Sequence, residues 1–120
     1  MTTRQFIAMI GEAETGGLAH TQERQRAIGD GGLAGGFYQQ HWQWRVDYWR
    51  PWMWDVLQYF DADAIGHFVA RRHGMTALQL AETYNCGRIS VDPAYRSRCV
   101  AGLSAMGLDA AELGKPLSDS

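Results

Sequence analysis

Apolar positions recur at helical spacing from the start of the chain. Phe6, Met9, Ile10 and Ala13 fall on one face of a helix that Thr2 or Thr3 can cap and Gly16-Gly17 ends. Residues 18–41 break that rhythm with glycine and polar side chains and predict a long loop, with a short β-hairpin near Gly35 to Gln40. A loop of this length in a compact domain is usually functional. Helical spacing resumes over Tyr48 to Phe60, with Pro51 in the first turn; Trp52, Val56, Tyr59 and Phe60 share a face and Trp54 points away from it. A third helix, Ala62 to His73, carries Ile65, Phe68 and Val69 and stops at Gly74. Thr76 caps a fourth, with Leu78, Leu80, Ala81 and Tyr84 before Cys86-Gly87. Asp92-Pro93 opens a fifth, which runs through Val100 and Leu103 to Met106-Gly107. Residues 108–120 read as a tail that adds a turn and frays at Gly114-Lys115-Pro116. No alternating run is long enough for a real sheet, so the expectation is a mainly α (α+β) domain over residues 1–107, with about five helices around a groove.

Composition narrows the function classes. The 120 residues suit a single core, and 46% apolar with 20% charged residues is ordinary globular usage. A net charge of −2 supplies no broad basic field, so nucleic-acid binding is not expected. No stretch has the length of a membrane span, and residues 1–14 lack the basic start and apolar run of a signal peptide. Cys86 and Cys99 lack the paired spacing of a zinc site and read equally as a disulfide or as two thiols. His20, His41, His67 and His73 form no metal-ligand spacing, and no organic cofactor or metal is implied. Gly29-Asp30-Gly31-Gly32-Leu33-Ala34 formally matches a phosphate loop, but no strand precedes it and its acid would repel phosphate.

The chemistry lies in two acids. Glu14 falls in the last turn of the first helix, where the helix dipole opposes its charge and favours the neutral acid. Asp30 sits in a glycine-rich turn that can bend close and stay wet. Cleaving a glycosidic bond requires one protonated and one ionised carboxyl group. The plainer alternatives are a surface glutamate and a turn-forming aspartate. Glu12 lies about 200° round the helix from Glu14, which predicts that the two cannot face one groove. Trp42, Trp44 and Trp49 offer indole faces on which a sugar could stack, and His41 follows Gln39-Gln40 closely enough to edge the groove.

These residues resemble a family. Ala13-Glu14-Thr15-Gly16-Gly17, then Ile28-Gly29-Asp30-Gly31-Gly32 and Gly36-Phe37-Tyr38-Gln39, resemble the catalytic segment, glycine-rich turn and aromatic-Gln segment of lysozyme-like enzymes. The motif order looks most like invertebrate-type lysozymes and phage or bacterial peptidoglycan hydrolases. Ala81-Glu82-Thr83-Tyr84-Asn85-Cys86-Gly87 is similar to the helix end of lytic transglycosylases.

The resemblance implies a bacteriolytic muramidase that cleaves the β-1,4 bond of peptidoglycan, and the small size and lack of an extended apolar stripe point to a monomer. Glu14 would be the general acid and Asp30 the second carboxylate. Tyr38, Gln39, His41 and Trp42 would line the groove, Tyr84 would reach toward the acid, and Asn85 would hold an N-acetyl or hydroxyl group. The alternatives are a lytic transglycosylase using Glu14 alone, or a glycan-binding module of a phage tail or secretion machine that has lost activity. The site of action would be the cell wall, in the periplasm or outside the cell, reached by another route or from a longer chain.

Overall fold

A computed structural model describes residues 1–18, 21–29, 34–41 and 57–118. In chain order these form α1 (Thr3–Thr15), α2 (Thr21–Arg26), β1 (Ile28–Gly29), β2 (Ala34–Gly35), β3 (Gln40–His41), α3 (Leu57–Ala70), α4 (Ala77–Cys86), α5 (Pro93–Ala105) and a closing 3-10 helix (Ala110–Gly114). The described chain is mainly helical, with one small antiparallel sheet of order β1-β2-β3. Ile28 pairs with Gly35, and Ala34 with His41. Among the described residues no helix is long and apolar enough to cross a membrane.

Local signals set the principal helix starts. Thr2 caps α1 by accepting from the Gln5 N–H at 3.1 Å, while the Gln5 side chain accepts from the Thr2 N–H at 2.9 Å. Thr76 and Gln79 repeat this capping box on α4. Asp92 accepts from the Tyr95 N–H at 3.1 Å, with Pro93 in the first turn of α5.

The core forms where these helices bury one face. Helix α1 contributes Phe6, Met9, Ile10 and Ala13, α3 contributes Ile65, α4 contributes Leu80 and Ala81, and α5 contributes Tyr95, Cys99 and Leu103. Each large side chain so buried stabilises the fold by about 1.5–3 kcal/mol relative to exposure. Helix α1 packs most extensively against α5 and touches α3 on another side. The α1–α5 approach is close at Gly102, where a methyl group would lie 3.0 Å from the Glu12 Cβ and push it back by a few tenths of an ångström.

Three expectations are corrected. The boundary placed near Asp61 does not exist in the described chain, because α3 runs unbroken from Leu57 to Ala70. No glycine or proline lies at the expected boundary, and Gly66 is accommodated inside the helix. Residues 18–41 hold α2 and β1 as well as the expected turn at Gly36–Gln39 between β2 and β3. Helix α2 is entirely polar, and a two-residue strand shows no alternation, so neither left a periodic signal.

The segment expected to fray is instead docked. Leu113 is buried, Lys115 accepts from the Ala77 N–H at 2.9 Å, and the Ser118 N–H donates to the Met1 carbonyl at 2.9 Å. Ala77 is the first residue of α4, whose N–H has no partner within its own helix, so the returning chain satisfies a donor that would otherwise be orphaned. The expected helix over residues 48–56 lies outside the described residues.

Candidate active site

The last turn of α1 sends three side chains in three directions. Glu14 points toward α5, where the Tyr95 hydroxyl donates to its Oε1 at 2.9 Å. Thr15 turns toward the hairpin, its hydroxyl 2.7 Å from the Phe37 carbonyl and 3.2 Å from Gly11 O. Glu12 faces α2 and pairs with Arg24 at 3.1 Å. Arg24 also donates from Nε to Thr15 Oγ1 and from Nη2 to Gly11 O, each at 3.0 Å, and its guanidinium lies 3.7 Å from the Phe37 ring centroid. A cation at a helix C-terminus meets the negative end of the dipole. Arg24 thereby fastens α2, the hairpin and α1 together. At Gly11 a methyl group would come within 2.6 Å of the Phe37 ring and 2.9 Å of the Tyr38 ring, so the hairpin's aromatic pair packs directly on the α1 backbone.

These elements enclose a cleft of about 720 Å³ around the end of α1. Glu14, Glu12, Ile28, Gln39, Arg98 and the Gly16–Leu18 turn all line it. Both α1 glutamates reach this space, which corrects the angular argument that excluded Glu12. The cleft wraps past the helix terminus at Gly16, so opposite sides of the last turn border the same volume. Leu18 and Ile28 are exposed there and give the cleft an apolar lip.

The remaining predicted site residues are distributed more widely. Gln39 lines the cleft with φ of 51°, and its amide donates to Ala27 O at 2.9 Å and Gly36 O at 2.8 Å. Its side chain therefore knits the turn as well as facing the cavity. Tyr38 lines a separate groove between α1 and α3. Tyr84 donates to the Tyr38 carbonyl at 2.5 Å and lines a pocket beside α3. Asn85 donates to Asp92 at 3.3 Å and so joins the end of α4 to the start of α5. The His41 backbone pairs in β3. Asp30 and Trp42, with Trp44, Trp49, Trp52 and Trp54, lie outside the described residues; Ile28–Gly29, directly before Asp30, is the strand beside the cleft.

Tyr95 is the site residue that the motifs did not announce. Its signal is the spacing Tyr95, Cys99, Leu103, a buried stripe on α5 that points back at α1. Burial, followed by the neighbouring Glu14 carboxylate, holds its phenol well above the ordinary value, so it stays a donor across the working range. Tyr95→Phe removes one hydrogen bond to a charged group. If Glu14 is the catalytic acid that the sequence resemblance implies, the variant is expected to lower kcat about tenfold with KM little changed, as read by initial rates on the peptidoglycan which that resemblance names. An unchanged kcat would reduce Tyr95 to core packing.

Cys86 and Cys99 are both unbonded thiols, the first exposed and the second buried. Burial, then Glu14, pushes the Cys99 thiol up to about 12. Cys99 and Tyr95 thus keep their protons in the fold at pH values where the unfolded chain releases them. The Cys99 contribution to stability is full below the unfolded thiol value near 8.5 and declines as pH rises toward 12, and that of Tyr95 begins to decline only above the ordinary phenol value near 10. Urea midpoints are expected to fall steadily above about pH 9. In Cys99→Ala the part of that fall due to the thiol should disappear.

Among the described residues no three His, Cys, Asp or Glu side chains converge in a metal-holding group. Comparison of the chain with protein-family models, with curated proteins and with solved structures finds no match.

Proposed function

We propose that this protein is a lysozyme-like glycosidase that cleaves the β-1,4 bond between N-acetylmuramic acid and N-acetylglucosamine in peptidoglycan. The observation that carries this reading is the setting of Glu14: a half-buried carboxyl group at a helix C-terminus, in an open cleft, oriented by the 2.9 Å bond from Tyr95. A general acid requires such a fixed and partly desolvated carboxyl group. Glu14 protonates the glycosidic oxygen, the C1–O bond breaks, and positive charge develops at C1. Asp30 stabilises that charge or directs water to C1, and the product carries a free reducing end. The exposed Leu18 and Ile28 suit the apolar face of a pyranose ring.

One observation keeps a second reading in view. Glu12 is committed to Arg24 at 3.1 Å, so it is poorly placed to act as a second catalytic acid in the cleft. Should Asp30 serve only its turn, Glu14 works alone: the muramyl 6-hydroxyl attacks C1, gives up its proton to the carboxylate, and leaves a 1,6-anhydro product.

Mass spectrometry of purified peptidoglycan incubated with wild type and with Glu14→Gln separates these outcomes. Reducing muropeptides made only by wild type support the hydrolase, and anhydro-muropeptides support the single-acid route. Glycan binding without turnover between pH 4 and pH 8 would remove the protein from the enzymes and leave it a binding module.

A further inference from the structure

A second cavity, of about 500 Å³, lies on the other side of the hairpin. Helix α3 supplies His67, Phe68, Arg71 and Arg72, α4 supplies Tyr84, and β3 supplies Gln40. No carboxylate lines it among the described residues, although the chain as a whole carries a net charge of −2. Among the described lining residues the formal charge is positive, opposite in sign to that of the whole chain.

The walls are held firmly. Arg72 donates to the Phe68 carbonyl at 2.9 Å, and its guanidinium lies 3.8 Å from the Phe68 ring centroid. Phe68 meets Tyr84 edge-on at 5.9 Å, and Tyr84 is tied to the Tyr38 carbonyl. Arg72 therefore serves the helix end and the aromatic wall. The Arg71 guanidinium is exposed on the cavity rim and has no partner among the described residues. A planar guanidinium beside a packed aromatic wall matches a carboxylate carried on a peptide, which it can grip with two parallel hydrogen bonds.

The position of this cavity relative to Glu14 gives it meaning. Gln39 lines the Glu14 cleft and Gln40 lines the cationic cavity. Successive Cα atoms are only about 3.8 Å apart, so a single strand of the hairpin separates the two spaces. A glycan in the cleft that carries a peptide branch could set that branch across the hairpin.

We infer that the α3 cavity is a subsite for the free carboxylates of the peptidoglycan stem peptide, with Arg71 as the residue that grips them. This deepens the glycosidase reading and rests on it for the identity of the ligand, while the binding step itself requires no catalysis.

Titration calorimetry with the sugar-free stem tetrapeptide tests it. Wild type is expected to bind the peptide, and Arg71→Gln to bind it about tenfold more weakly, the usual loss for one charged hydrogen-bonded contact. The same peptide with its carboxylates amidated should show a comparable loss on wild type, so the outcome does not hang on one variant. Equal binding of amidated and free peptide, or no binding by wild type at millimolar peptide, overturns the proposal. Inorganic phosphate binding as well as the peptide would also overturn it, since the cavity would then take any anion. Peptide binding without muropeptide release would sink the catalytic reading and leave the subsite standing; release without peptide binding would do the reverse.

Discussion

Glu14→Gln is expected to reduce muropeptide release by about a thousandfold or more while leaving the thermal midpoint close to wild type. Glutamine keeps the shape of the side chain and still offers an oxygen to the Tyr95 hydroxyl, which sits 2.9 Å from the carboxylate in the wild-type protein. What it lacks is the proton for the leaving oxygen, and general acid catalysis typically contributes about 10²–10⁴ in rate. The stability of the variant should change little, because the group is only half buried and lies at a cleft rim rather than in the core. Rate and stability are thus predicted to separate. Retained turnover in Glu14→Gln would move the acid elsewhere, and Glu12 would be the next residue to replace because it borders the same cleft. Loss of both activity and folding would show that the Tyr95 contact has a structural role that the charge supports.

The opposite pattern is expected of Phe6→Ala. Phe6 is 0% exposed on the face of α1 that meets the core. Truncating a buried phenylalanine typically costs about 3–5 kcal/mol through lost transfer energy and the cavity left behind. Against a total stability of about 5–15 kcal/mol for a domain, that is a large share. The thermal midpoint should fall by about 10–20 °C. Loss of activity should follow loss of fold, so material kept cold and folded should still cleave. Should urea unfolding instead give a deficit under about 1 kcal/mol, α1 would not be the centre of the core.

The helix ends were the most legible part of this fold, because a capping box is a local code. Thr2 with Gln5, and Thr76 with Gln79, use residues three apart, and no distant contact is needed to read them. The place of Glu14 in the last turn of α1 was legible for the same reason, since Gly16-Gly17 follow one residue later and end the helix. Its partner was not, since Tyr95 lies 81 positions away and only the packing of α5 on α1 brings them together. Helix α2 escaped notice because its stability comes from Arg24 reaching back to Glu12, Thr15 and Gly11, not from an apolar face of its own. The separate helices expected to end at Phe60 and to begin at Ala62 are one helix in this region, because no proline or glycine lies between them to break it. The rotation between Glu12 and Glu14 was read correctly as geometry. It misled because a cleft at a helix terminus is not confined to one face.

The pairing of α1 with α5 and the seating of residues 113–118 against Met1 and Ala77 also set the order in which the protein can be made. Phe6, Met9 and Ile10 are synthesised roughly ninety or more positions before Tyr95, Cys99, Leu103 and Leu113, which share their core. At about 5–20 residues per second, the apolar face of α1 waits on the order of 5–20 s at the ribosome before its native cover has been made. During that interval it is a natural client for a chaperone, and slow translation of the second half of the message would lengthen its exposure.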